Sequence, residues 1–329
     1  MKTGKKLLYN LICAALVTGA ALCLAGPVYA GSCCGGGSPA NLLVPKYARG
    51  VVDLSFDYEK YDGFWNQYRK HIPDLEGSDL NQYRLNLGVG YRFSRRFQAS
   101  LIVPYVWNKN KYSGLSSHSS GLGDSTLSLW YEPIEDASPW RVRSWKDMVP
   151  SVNIGPSLLI PFGISPYDDA KSSFDVCGRG FYRIDANVLI EKTIQPWNLS
   201  WLFSYGKYID RPVNREYGDY KEPYDKVLGD RISSTVSLSY AYYIGSGGDT
   251  LTGSVSYTYL HEKNAKINGS EMEDSGFMKK SIGGSIVYSG TDSDWSFRGA
   301  WSHTFKKDGW GENFPSTDIF TLGVRYAIR

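Results

Sequence analysis

The sequence predicts an all-β fold: a transmembrane, antiparallel, up-and-down β-barrel of about twelve strands. Three observations predict it. Segments of roughly ten residues alternate between apolar and polar side chains, the period of a strand with two unlike faces. The links between them are long and polar, then short, in turn. Aromatic residues fall near the segment ends at two depths. A soluble sandwich would bury one face and solvate the other, but it has no reason to sort its links or its aromatics in this way. In an outer-membrane barrel the apolar face meets lipid, aromatics mark both interfaces and the polar face lines the lumen.

The elements follow in order. Residues 1–30 read as a secretory signal, with Lys2, Lys5 and Lys6, an apolar run over 7–24 and Val28-Tyr29-Ala30 as a small-residue cleavage site. Residues 31–48 read as a flexible periplasmic tail containing Cys33 and Cys34, and 49–329 as the barrel. The most informative stretch is 83–107. Tyr83, Leu85, Leu87, Val89, Tyr91 and Phe93 share one face, with Arg84, Asn86, Gly88, Gly90 and Arg92 on the other. After a turn at Ser94-Arg95 the pattern repeats, Phe97, Ala99, Leu101, Val103, Tyr105 and Trp107 standing against Gln98 and Ser100. The remaining segments are 52–59, 125–131, 152–160, 182–191, 197–205, 232–242, 251–259, 282–288, 295–301 and 320–328.

The long links are 61–81, 108–120, 161–179, 210–229, 261–277 and 305–318; tight ones include 94–95, 194–196, 245–249 and 290–293. Long outside and short inside places both termini in the periplasm. Residues 133–150 depart from the rule: a long link on the short side, carrying Trp140, Arg141, Arg143, Trp145 and Lys146, a composition suited to lipid headgroups.

Inward positions carry both signs of charge: Asp53, Asp57, Arg84, Arg92, Arg183, Asp185, Arg298 and Arg325 are the lumen-lining candidates. Closure sets the last segment beside the first, so Arg325, Asp53, Asp57, Arg84 and Arg92 should share a wall, either as an ion-pair ladder or as a charged constriction. Twelve strands at ~4.8 Å spacing and ~40° tilt give a backbone diameter of roughly 25 Å.

Composition excludes other classes. Loss of the three signal lysines takes the balance from 36 cations and 33 anions to 33 of each, which gives no reason to expect nucleic acid. A mean hydropathy of −0.33 suits a barrel, since only alternate strand residues meet lipid. Three cysteines remain after cleavage, Cys33, Cys34 and Cys177, and there is no C-x-x-C-H; His71, His118, His261 and His303 have no metal-ligand spacing. No cofactor or metal is expected. His118-Ser119-Ser120 and His261-Glu262 offer no complete catalytic set, and the acidic link 210–226 fits no calcium loop and carries compensating Arg211, Arg215, Lys221 and Lys226. The chain does not read as an enzyme.

Two stretches resemble known patterns. Thr321-Leu322-Gly323-Val324-Arg325-Tyr326-Ala327-Ile328 resembles the C-terminal recognition signal of bacterial outer-membrane barrels, departing from it by the terminal Arg329; it implies the barrel-assembly machinery as a partner. Leu101-Ile102-Val103-Pro104-Tyr105, Gly121-Leu122-Gly123-Asp124-Ser125-Thr126-Leu127 and Ile160-Pro161-Phe162-Gly163 resemble the transporter-like outer-membrane family named for phenol meta-pathway degradation. That resemblance implies a channel for small solutes, among them aromatic or hydrophobic compounds. From the residues themselves, the glycines suit a kinked strand and Asp124 a cap on nearby backbone donors. The alternative is a barrel acting as the sleeve of an outer-membrane electron-transfer complex, with Cys33 and Cys34 contacting periplasmic or extracellular cytochromes.

Overall fold

The computed structural model describes residues 42–66, 68–112, 114–170, 175–245, 249–290, 294–307, 309–311 and 315–329. In chain order its strands are β1 (Gly50–Trp65), β2 (His71–Ile72), β3 (Asp79–Arg92), β4 (Phe97–Tyr112), β5 (Leu115–Leu122), β6 (Ser125–Ile134), β7 (Ser151–Ile160), β8 (Arg183–Ile194) and β9 (Trp197–Tyr208). They continue as β10 (Arg211–Glu216), β11 (Asp219–Val227), β12 (Arg231–Ile244), β13 (Asp249–Glu262), β14 (Lys266–Ile267), β15 (Ser270–Glu271), β16 (Phe277–Ser289), β17 (Trp295–Thr304) and β18 (Pro315–Ile328). Among the described residues twelve of these, β1, β3, β4, β6, β7, β8, β9, β12, β13, β16, β17 and β18, pair in sequence order into one antiparallel sheet. Pairing of β18 with β1, Asp53 opposite Arg325 and Asp57 opposite Thr321, closes it. Closure leaves the barrel no edge strand with unpaired backbone groups, the condition for crossing a bilayer with strands.

The alternation read from sequence is the alternation of wall faces. Leu54, Phe56, Leu87, Val89, Leu127, Leu129, Val236, Leu238, Val255 and Leu322 are exposed on the outside, while Asp53, Ser55, Asp57, Asn86, Gln98, Ser100, Ser128, Asn153 and Ser157 are buried inside. Outward aromatics pair across strands at both ends. Phe97 stacks on Tyr131 (4.6 Å) and Trp197 meets Tyr240 (4.8 Å) at the short-turn end; Tyr58 stacks on Tyr83 (5.3 Å) at the other.

Most links expected as long polar loops fold further than the sequence suggested. β4 runs on to Tyr112 and returns as β5, which pairs with it from Tyr105 upward, while β6 takes over below at Ile102. The change of partner falls at Gly123–Asp124, where Gly123 N–H donates to Pro104 O at 2.8 Å. Residues 210–229, expected as a solvated loop, form the hairpin β10–β11, which β14 and β15 extend to a four-stranded sheet. Its charges pair, Lys226 with Glu216 across β10 and β11 (3.6 Å) and Arg211 with Asp168 of a neighbouring turn (3.5 Å), so charges that look like solvated runs in one dimension are partners in three.

A second difference lies at the N-terminal end. Residues 31–41 fall outside the described set, but 42–48, expected as the end of a flexible tail, are docked inside the barrel. Leu42, Val44 and Ala48 form one buried cluster with Val51, Ile102 and Ala327. The space comes from two glycines: a Cβ at Gly88 would stand 2.9 Å from Leu42 Cδ2, and one at Gly90 3.0 Å from Val44 Cγ2. Gln98 Oε1 accepts the Val44 N–H (2.7 Å), Arg92 donates to Val44 O, and Lys46 pairs with buried Glu132 (2.8 Å).

Candidate functional site: the lumen

Among the described residues, two adjoining chambers are found in the interior. The larger, of about 540 Å³, lies toward the long-loop end; the smaller, of about 290 Å³, lies toward the short turns, and Ser256, Ser302 and Ile319 belong to both walls. Their linings are unlike from one side of the barrel to the other.

The side formed by β1, β3 and β18 is charged and internally paired. Arg84 Nη1 donates to Glu59 Oε2 at 2.6 Å, and its Nε lies 3.6 Å from Asp57 Oδ2. Asp57 also accepts from Asn86 Nδ2 (2.8 Å) and Thr321 Oγ1 (2.7 Å). Asp53 bridges Arg325 (2.8 Å) and Arg298 (3.3 Å), one carboxylate tying β1 to β18 and β17 across the closure seam. Each buried charge therefore has an opposite charge against it, the arrangement that makes burial tolerable.

The side formed by β12, β13, β16 and β17 is built mainly of small hydroxyls, with Arg231, Lys279 and Arg298 among them. Ser233, Thr235, Ser237, Ser254, Ser256, Thr258, Ser281, Ser285, Ser302 and Thr304 line the chambers. Some bond to each other across strands, as do Thr235 with Thr258 (3.0 Å) and Ser254 with Ser285 (2.6 Å). Short side chains leave the free cross-section on this side.

A third feature is apolar. Ile102, Pro104 and Val106 on β4, Leu159 on β7, Leu202 on β9, Leu260 on β13 and Ile319 on β18 all line the larger chamber. Neither they nor the hydroxyls were singled out from sequence. Their signal is there nonetheless: Leu101-Ile102-Val103, Leu158-Leu159-Ile160, Trp201-Leu202-Phe203 and Ile319-Phe320 are apolar runs that break strict alternation, so one member must point inward.

Of the residues predicted to line the lumen, Arg84, Arg183 and Asp185 border the larger chamber and Arg298 the smaller. Arg183 pairs with Asp185 at 2.7 Å and donates to Tyr208 Oη at 3.1 Å. Asp53, Asp57 and Arg325 are in the paired wall behind, and Arg92 holds the docked N-terminal segment rather than the path. Cys33 and Cys34 lie outside the described residues.

The long-loop mouth is roofed by residues 161–170 and 175–182, which turn into the barrel. Asp124, at the break between β5 and β6, accepts the Gly163 N–H (3.2 Å) and the Arg179 N–H (2.6 Å), so one carboxylate clamps both ends of this loop. Arg179 reaches on to Glu262, which also accepts from Tyr208 Oη (3.0 Å). Asn108 Nδ2 donates to Val176 O (3.1 Å) and contacts Cys177 Sγ (3.5 Å). Burial pushes the Cys177 thiol up to about 11, against the opposing hydrogen bonds of Ser119 and Asn108. The glycine-and-aspartate motif thus has a mechanical role: it ties the roof to the wall.

Comparison with known proteins agrees with this geometry. Among solved structures the barrel superimposes on an outer membrane channel from Pseudomonas putida F1 with a TM-score of 0.61 at 13% identity, covering 89% of this chain and all of that one. The β-domain of the Bordetella autotransporter BrkA gives 0.49 at 10% identity over 85% of this chain and all of its own. The monoaromatic hydrocarbon channel CymD gives 0.39 at 9% identity over 86% of this chain and 89% of its own. No curated protein matches by sequence. At these identities the likeness is one of fold: an outer-membrane β-barrel. A family model matches residues 90–315, well over half the sequence and all three of the motif stretches from Leu101 to Gly163, and the chain belongs to the family it describes, "Putative MetA-pathway of phenol degradation".

Proposed function

We propose that this outer-membrane barrel is a channel for small solutes that join a hydrophobic or aromatic body to a hydrogen-bonding group. The observation that carries the reading is the apolar collar of the larger chamber, from Ile102, Pro104, Val106, Leu159, Leu202, Leu260 and Ile319, facing a wall of hydroxyls. A lumen serving ions and sugars alone gains nothing from inward aliphatic side chains, which cost hydration without offering a partner. Against an aromatic ring they offer burial, while serines and threonines both donate and accept and so fit a phenolic or similar group in any orientation. The family description, with its reference to phenol degradation, supports the same solute class.

The test is solute flux into proteoliposomes alongside conductance in planar bilayers. Leu260→Asn together with Ile102→Asn should lower entry of a neutral aromatic solute several-fold and leave ion conductance nearly unchanged. Equal loss of both, or of neither, would reject the collar as the selective element. A well-folded barrel with no conductance and no flux would instead favour the sleeve of an electron-transfer complex.

A further inference from the structure

We propose that residues 135–150 form a docking surface for anionic phospholipid on the periplasmic leaflet of the outer membrane. This rests on the membrane placement above but not on what passes through the lumen.

The segment links β6 to β7 at the short-turn end and is held in one shape. Asp136 accepts from Lys192 Nζ and from the backbone N–H groups of Ser138 (2.9 Å) and Thr193 (2.7 Å). Gln195 N–H donates to Pro139 O (2.9 Å), and Asp147 accepts the N–H groups of Arg143 and Ser144 (2.8 Å each), closing a single 3-10 turn over Trp145–Met148. These bonds use up the segment's anions: Glu135 pairs with Arg95 (3.2 Å), Asp136 is enclosed, and Asp147 is spent on backbone donors. Its cations enter no ion pair, although Arg143 lies close enough to Asp147 to favour its charged form. Arg141, Arg143 and Lys146 have no carboxylate within ion-pair distance among the described residues, and all three are exposed.

Beside those cations stand large apolar side chains in the open. Trp145 is 90% exposed and Trp140 64%, an unusual state for indole on a surface facing water. The patch is also continuous with the lipid belt. Trp140 packs on Tyr243 (5.2 Å), which follows Tyr240 and Tyr242 of the outward aromatic girdle. Indole at a girdle with unpaired arginine and lysine alongside matches the interface of a leaflet with negative headgroups, where indole sits at the carbonyl level and the cations meet phosphate. The internal use of every carboxylate leaves a surface that is positive toward its partner although the segment's formal charges cancel.

The experiment is native mass spectrometry of the full barrel released from detergent, titrated with phosphatidylglycerol or phosphatidylethanolamine. Wild type should retain phosphatidylglycerol adducts several-fold more than phosphatidylethanolamine adducts. Arg141→Gln, Arg143→Gln and Lys146→Gln combined should remove most of that preference, and Trp140→Ala with Trp145→Ala should lower retention of both lipids, with heat-modifiable migration showing the barrel intact in each case. An unchanged preference in the triple variant would overturn the proposal. So would photo-crosslinking from position 145 in cells that captured a periplasmic protein instead of lipid. Recovery of the protein outside the outer membrane would defeat the placement itself, a separate outcome.

Discussion

Arg84 sits against two carboxylates of β1, with Glu59 at 2.6 Å and Asp57 at 3.6 Å, all three buried. Replacing it by leucine leaves two carboxylates in the wall without a cation, a loss of order 3–5 kcal/mol, which should appear as a lower urea midpoint for barrel unfolding in lipid. Cys177 gives a second test at the same scale. With its thiol pushed up to about 11 it stays neutral at pH 7–8, so in a Cys33→Ser, Cys34→Ser background maleimide should label it only after denaturation. Rapid labelling of the folded protein would mean that the roof around Cys177 opens spontaneously. The charged residues were legible in the sequence because alternation assigns a face and closure assigns a neighbour: Asp53 beside Arg325 follows from those two rules. The small hydroxyls and the inward aliphatics were not, because alternation marks them only as filler or as exceptions. Their meaning depends on which strands stand opposite across the lumen, and local periodicity carries no information about that.

At the scale of elements, two segments that are not barrel strands shape the lumen. Residues 42–48 fill the short-turn end against Gly88 and Gly90, and 161–170 with 175–182 roof the other end from Asp124. Glycines on an inward face were visible in the sequence, but their occupant comes from about forty residues upstream, a distance no local pattern bridges. Gly88→Val should push Leu42 and Val44 out, forgoing roughly 1.5–3 kcal/mol of burial for each, and should be read as new protease cleavage within 42–48 with β-content unchanged. The link over residues 135–150 has its own pH signature. Burial alone would raise the Asp136 pKa, but the bonds from Lys192, Ser138 N–H and Thr193 N–H outweigh it and hold the carboxyl below its usual range. A depressed carboxylate stabilises above its unfolded pKa of about 3.9 and loses that contribution as pH falls through the lower, folded value. The protection factors for hydrogen exchange over residues 135–150, taken against the intrinsic rate at each pH, should therefore be high at pH 7 and fall below about pH 4, and in Asp136→Asn they should be low at both.

For the whole molecule, the division of the lumen into a paired charged wall and a hydroxyl wall sets how it conducts. The charged wall has no net pull on a passing ion as long as its pairs are intact, since Asp53 answers Arg298 and Arg325 and the Glu59–Asp57 pair answers Arg84. This wall should accordingly contribute little to selectivity between cations and anions, any preference coming from Arg231 and Lys279 on the opposite side. Two substitutions separate the walls. Asp53→Asn leaves two guanidinium groups beside the smaller chamber, into which Arg298 already faces, and so should move the reversal potential toward anions under a salt gradient while leaving single-channel conductance of similar size. Ser256→Trp places a bulky ring at the junction that both chambers share with Ser302 and Ile319, and should cut conductance and solute flux several-fold together without altering selectivity. If Ser256→Trp conducts as well as wild type, the path does not follow the hydroxyl wall. Solutes would then have to cross by displacing the segment at 42–48, which the Gly88→Val barrel would report as a matching rise in flux.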